Sequence, residues 1–314
     1  MNKRDLVLSL LDPTHQPTYT PAAFFLHFDP ACHRGQAAVD KHLEYFHYTG
    51  MDFVKIQYEH TFPVLSHIQR PADWANMPLY QEDFFEAPLK VVEGIIKAAK
   101  AEALVIMTLY SPFMCAGHAV GVDRMLQHIH EDPDAVKKGM QIVTDSLMTF
   151  VKGCIRLGVD GFYTSTQGGE THRLADPALF NALVRPYDLA LMTEIDRACI
   201  YNILHICDYS GDYDDLKRFL DYPGHVINCP LKIGGRPISG QEVTSLFGRP
   251  YMGGLDRQGI ITSGNPAQVR TAAQAALQSA PRPFILGADC TVLPGTPWEN
   301  LRTAIETAHQ YQRT

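Results

Sequence analysis

His205, Cys207 and Cys290 are the residues whose types and spacing most clearly suggest chemistry. His205 and Cys207 lie in Tyr201-Asn202-Ile203-Leu204-His205-Ile206-Cys207, a run with strand character. Side chains alternate along a strand, so the two share a face. Cys290 closes a second such run, Phe284-Ile285-Leu286-Gly287-Ala288-Asp289-Cys290. An imidazole and two thiolates form a tetrahedral ligand set suited to zinc, and three protein ligands leave a fourth position for water or a thiol. Spacing alone leaves another reading open, because a packed core histidine beside a buried thiol gives the same His-x-Cys pattern. The remaining cysteines carry less signal. Cys154 falls inside a helical pattern, Cys199 just after one, and Cys32 and Cys115 in loops; Cys229, at the end of another strand candidate, is the exception to watch.

Bringing these residues together requires a fold that gathers strand ends. Short β-branched or aromatic runs alternate with longer helical patterns, which reads as a parallel sheet with crossover helices. The strand candidates are Pro21 to Phe28, Asp52 to Tyr58, Ala103 to Leu109, Val159 to Ser165, Tyr201 to Cys207, His225 to Cys229, Pro250 to Leu255 and Pro283 to Cys290. The clearest helices are Ala135 to Leu157, Pro177 to Ala198, Pro266 to Leu277 and Pro297 to Gln310. Eight β/α pairs predict an α/β protein of (β/α)8 TIM-barrel type, one domain over residues 1–314 with a short N-terminal helix. A doubly wound sheet is the competitor, weakened by the lack of a Gly-x-Gly-x-x-Gly turn after the first strand. In a barrel, catalytic groups collect at the C-terminal strand ends, where Cys207 and Cys290 fall.

Other rim residues are candidates on position. Gln167 and Glu170 follow the fourth strand and Asp256 the seventh, suiting a fourth ligand or ligand support, although loop-capping groups would look alike. Asp289 reads equally as a turn cap. Tyr58 and Glu59 end the second strand as candidate substrate contacts, and His27, His60 and His118 are candidate acids or bases. His118 follows a Ser111-Pro112-Phe113 turn and Gly117, where close ligand approach is easy. The aromatic, proline-rich stretch from Glu59 to Ala87 reads as a loop covering the mouth.

Composition narrows the partners. With 27 basic against 34 acidic residues the net charge is −7, and without a basic block this argues against nucleic acid. No apolar run approaches a membrane span. The apolar stretch Leu6 to Leu11, ended by Asp12-Pro13, is too short for a signal peptide and reads as an amphipathic helix. Seven cysteines, an odd and scattered set, point to a reducing compartment and thus a cytoplasmic protein.

The chain resembles the uroporphyrinogen decarboxylase superfamily, in particular its zinc-dependent methylcobamide:coenzyme M methyltransferase branch. The resemblance runs through Asn2-Lys3-Arg4-Asp5, Ser111-Pro112-Phe113, Gly158-Val159-Asp160-Gly161, Arg185-Pro186-Tyr187, Leu204-His205-Ile206-Cys207, Gly253-Gly254-Leu255-Asp256, and Cys290 followed by Pro294-Gly295-Thr296-Pro297. It implies zinc on His205, Cys207 and Cys290. It further implies a small thiol substrate activated for methyl transfer to or from methylcobalamin on a corrinoid partner protein, and it allows a homodimer. The decarboxylases proper carry an arginine-rich segment after the first strand, whereas this chain reads Leu26-His27-Phe28-Asp29-Pro30-Ala31-Cys32-His33-Arg34. A single arginine is a poor clamp for several carboxylates. Two alternatives remain. One is a metal-free carboxy-lyase acting on a tetrapyrrole or other acidic substrate through Asp29 or Glu59; the other is a non-enzymatic corrinoid-binding subunit, which the lack of an Asp-x-His-x-x-Gly signature disfavours. The Ser165-Thr166-Gln167-Gly168-Gly169-Glu170 segment departs from the better-known methyltransferases.

Overall fold

The computed structural model describes residues 2–12, 14, 19–174 and 176–311; Pro13, expected to end the first helix, lies outside them. Among the described residues, seven strands form one parallel, curled sheet: β1 (Phe53–Ile56), β2 (Leu104–Tyr110), β3 (Gly161–Thr166), β4 (Ile203–Ile206), β5 (Val226–Asn228), β8 (Tyr251–Leu255) and β9 (Phe284–Ala288). They neighbour one another in chain order. These strands are almost wholly buried, as expected of a parallel sheet covered by crossover helices. Two elements lie between β5 and β8: β6 (Lys232–Ile233) and β7 (Arg236–Pro237), a short antiparallel ribbon. Its turn is Gly234-Gly235, both at positive φ, and this dipeptide was the available sequence signal for a hairpin.

The expected first strand, Pro21 to Phe28, is not a regular strand. It makes only isolated parallel bridges, Ala22 to Leu286 and Leu26 to Val292. Pro21 lacks an N–H, and the Ala22 N–H is taken at 2.7 Å by the Asp52 carboxylate, which also accepts from the Tyr19 hydroxyl. A side chain thus occupies a ladder position. The segment still bonds to β9 through Ala23 N to Leu286 O and Leu286 N to Pro21 O, and it accepts from Asp52 N, one residue before β1.

Twelve α-helices are described: α1 (Lys3–Ser9), α2 (Gly35–Thr49), α3 (Glu86–Ala99), α4 (Pro112–Val120), α5 (Val122–Glu131), α6 (Pro133–Leu157), α7 (Pro177–Leu183), α8 (Arg185–Ala198), α9 (Gly240–Phe247), α10 (Ile260–Ser263), α11 (Pro266–Ser279) and α12 (Trp298–Gln310). The single helix expected over Pro177 to Ala198 is two, broken at Val184. Pro186 cannot donate to the carbonyl four residues back, and its ring disfavours continuous helix there. Ser111 caps α4 by accepting from Met114 N, so Cys115 and His118 are helical rather than in loops.

The 59–87 segment packs laterally on α4, α5 and α6. Leu65 N donates to Ala119 O, the Trp74 indole donates to His128, and Gly139 of α6 lies against Trp74 so closely that a Cβ there would stand 2.4 Å from the ring. No helix among the described residues is long and apolar enough to cross a membrane.

Candidate metal centre

β4 delivers two of the three predicted ligands. Its ladder pairs His205 with Ser165 of β3 and with Asn228 of β5, and the Cys207 N–H donates to Thr166 O just past the strand end. Strand alternation then turns His205 and Cys207 to the same side. The Tyr163 ring stacks on the His205 imidazole with centroids 4.8 Å apart. The Tyr163 hydroxyl bonds to Asn228 Oδ1 at 2.5 Å, and the Asn228 amide donates to Met252 O of β8 and Ala288 O of β9, each at 2.9 Å. One buried asparagine thereby ties the imidazole's neighbour to the strand that carries Cys290 two residues later.

The ligand atoms of His205, Cys207 and Cys290 all lie within 4.8 Å of one another, and all three residues are buried. Cys290 Sγ is 3.3 Å from His205 Nε2. Donor atoms around a tetrahedral zinc with bonds of about 2.0 to 2.3 Å are roughly 3.5 to 3.8 Å apart, so the spacing suits the ion. The Cys290 thiol, with help from His205 and Gln167, holds Cys207 well below the ordinary thiol range, whereas Cys290 beside that thiolate is pushed up. A buried thiolate with an adjacent imidazole is the donor set that a soft divalent cation takes. Among the described residues His205 Nδ1 has no partner.

Gln167 donates to Cys207 Sγ at 3.3 Å and is itself held by Arg173, whose Nη1 donates to Gln167 Oε1 at 3.0 Å. Glu170 is buried one layer back, accepting from Gly168 N at 2.7 Å and from Arg173 at 3.2 Å; burial raises its carboxyl above the usual range. It shapes the loop that presents Gln167. Asp256 is exposed and accepts from Gln258 N, a turn cap outside the cluster. Asp289 pairs with Arg257 rather than capping the turn that follows it.

The substrate-contact candidates divide. His27 Nδ1 meets Glu59 Oε1 at 2.8 Å, with His33 3.8 Å from the same oxygen, so these form one polar group at the ends of the 21–28 segment and β1. Tyr58 is buried against Tyr110 and Phe150, facing the helices. His118 is exposed on α4, its ring edge on Tyr110, and His60 packs on Phe84. Cys229 is buried outside the cluster, and its burial pushes the thiol up.

Lys55 is a residue that the sequence reasoning passed over. Its ammonium lies between the Phe25 and Tyr163 rings, 4.6 and 4.7 Å from their centroids, and donates to Gln57 Oε1. Burial pulls it down to about 7, opposed by the charges of Cys290, Glu59 and Cys207. A lysine inside Phe53-Val54-Lys55-Ile56 was the visible signal.

A curled parallel sheet with two thiols and an imidazole at its C-terminal rim defines an α/β protein with a candidate metal site at the sheet's mouth. The uroporphyrinogen decarboxylase (URO-D) family model matches residues 46–311, and the chain belongs to that family. It is similar to a methylated-thiol–coenzyme M methyltransferase of Methanosarcina mazei, 27% identical over 221 residues. That match covers 66% of this chain and 53% of the relative, so the chain spans about half the length of the curated protein it matches. Among solved structures, a methyltransferase from Methanosarcina mazei superposes with a TM-score of 0.77 at 14% identity, covering 98% of each chain. A B12-independent methionine synthase from Shewanella sp. W3-18-1 gives 0.55 at 12% identity, covering 93% of this chain and 97% of that one. At such identities these structures speak to the fold.

Proposed function

We propose that this chain is a zinc-dependent methyltransferase that activates a small thiol and moves a methyl group between that thiol and a corrinoid carrier. The observation that carries the reading is the convergence of a His205 ring nitrogen with the sulfurs of Cys207 and Cys290 within 4.8 Å. The similarity to a methylated-thiol–coenzyme M methyltransferase supports the substrate class. The fold we infer is a (β/α)8 barrel with residues 21–28 in the eighth strand place, supported by that segment's backbone bonds to β9 and from Asp52.

In this reading His205, Cys207 and Cys290 hold the ion and Gln167 supports Cys207. Zinc bound there lowers the pKa of a thiol at its open position, so that a thiolate is available at neutral pH. A corrinoid carrier would supply the methyl group as an electrophile, the thiolate sulfur gaining the methyl while the carrier keeps the electron pair of the bond it gives up. The thiol proton passes to solvent or to a rim base, for which the paired His27 and Glu59 are the candidates. Buried Lys55 offers a positive charge that offsets the added thiolate. The metal-free carboxy-lyase alternative is disfavoured because Arg34 is the single arginine in the Leu26–Arg34 segment, where the decarboxylases carry an arginine-rich run.

Purified protein incubated with methylcobalamin and a panel of thiols tests the proposal. We expect the cobalamin spectrum to shift to the demethylated form with some thiol, and Cys207→Ala or chelation to abolish the change. Undiminished turnover in metal-free protein contradicts it.

A further inference from the structure

Each arm of the candidate metal centre carries an aspartate beside its cysteine: Asp208 directly follows Cys207, and Asp289 directly precedes Cys290. Both carboxylates converge on one guanidinium. Arg257 Nη1 donates to Asp208 Oδ1 at 2.6 Å and to Asp289 Oδ2 at 2.6 Å, and the Arg257 backbone N–H donates to Asp289 Oδ1 at 2.7 Å. The three side chains are 10%, 16% and 7% exposed for Arg257, Asp208 and Asp289. The arginine is itself fixed: it sits two residues past β8, Asp289 N donates to Leu255 O, and the Thr262 hydroxyl donates to Arg257 O.

We infer that Arg257 is a positioning residue that sets the separation of Cys207 and Cys290 by clamping the aspartates next to them. In the sheet β4 and β9 are separated by β5 and β8, so no ladder hydrogen bond links the two strand ends that bear the thiols. The Arg257 bridge spans that gap as a chord across the rim. A charged, largely buried three-point contact has a narrow geometry, and it adds a direct tie between two ends that the sheet links only by way of β5 and β8. A metal site is sensitive to this, because ligands preset near their bound separation need less reorganisation to take the ion. Sequence reasoning singled out neighbouring Asp256 because both follow β8; the buried, bridging residue is the next one.

The inference rests on the metal reading above, and its test separates the two. Arg257→Met alone would strand two buried carboxylates, so the informative variant is the charge-balanced Asp208→Asn/Arg257→Met/Asp289→Asn, with Asp208→Asn as the milder form that keeps the Arg257–Asp289 pair. Zinc affinity is read by competition with a chromophoric chelator, and geometry by the visible bands of the cobalt(II)-loaded protein. We expect zinc affinity to fall roughly tenfold or more in the triple variant, with weakened or shifted cobalt bands, and to change in the same direction but less in Asp208→Asn. Arg257→Lys, whose ammonium can also bridge two carboxylates, should lie between wild type and the triple variant. Wild-type affinity and an unchanged cobalt spectrum in both the triple variant and Asp208→Asn would overturn the clamp while leaving the metal centre intact. Failure of the wild-type protein to take up either metal would overturn both.

Discussion

Gln167 and Asp188 carry the sharpest expectations at the level of single residues. The Gln167 amide donates to the Cys207 sulfur, and a hydrogen bond to a charged acceptor contributes about 1.5 to 3 kcal/mol. Without it Cys207 becomes the stronger donor to the ion, which then acidifies a bound thiol less. Gln167→Leu should therefore retain zinc but move the pH profile of thiol methylation upward by about one unit; an unchanged profile would remove Gln167 from the site. Asp188 lies wholly buried beneath β3, accepting from the Thr166 hydroxyl at 2.5 Å, and burial pushes it up to about 7. The folded chain thus holds a proton that the unfolded chain releases near 3.8. This stabilisation is fully present below the unfolded value and is lost as pH rises to about 7, amounting to about 4 kcal/mol. Urea unfolding of wild type and Asp188→Asn should diverge between pH 4 and 8, with wild type losing ground as pH rises. Parallel curves would contradict this.

At the level of elements, the rim depends on side chains that replace missing ladder contacts. Asn228 joins β5 to the carbonyls of β8 and β9 and to Tyr163. Asn228→Ala leaves several buried polar groups unpaired, at a cost of about 3 kcal/mol, and should lower both the melting temperature and zinc affinity; a loss of stability with unaltered zinc affinity would confine its role to packing. The ligand-bearing strands were legible from the sequence because period-two alternation put His205 and Cys207 on one face and strand character ended at Cys290. Five of the seven sheet strands fall within the expected runs, and β2 and β3 each extend one residue beyond theirs, to Tyr110 and Thr166. The first run failed because Asp52 takes the Ala22 N–H, a long-range contact that no local pattern encodes. The α7–α8 break, by contrast, was signalled by Pro186. Asp256 was favoured over Arg257 because proximity to a strand end does not reveal which way a loop side chain turns. Lys55 was missed because attention to strand ends overlooked a charge inside a strand.

For the molecule as a whole, the ion and the fold are thermodynamically linked. The three donors come from strand ends distant in sequence, so an unfolded chain offers no comparable site, and zinc at about 100 times its Kd would stabilise the folded state by about 2.7 kcal/mol. Chelated protein should melt several degrees lower, and re-addition of zinc should restore it. A melting curve indifferent to chelation would argue against a bound ion. The central claim, an open zinc site that accepts a thiol, is tested most directly by zinc X-ray absorption on the purified protein before and after addition of thiol. We predict one zinc per chain with two sulfurs at about 2.3 Å and nitrogen or oxygen neighbours at about 2.0 Å, converting to three sulfurs when the thiol binds. Absence of zinc, or a first shell that thiol leaves unchanged, would contradict the account.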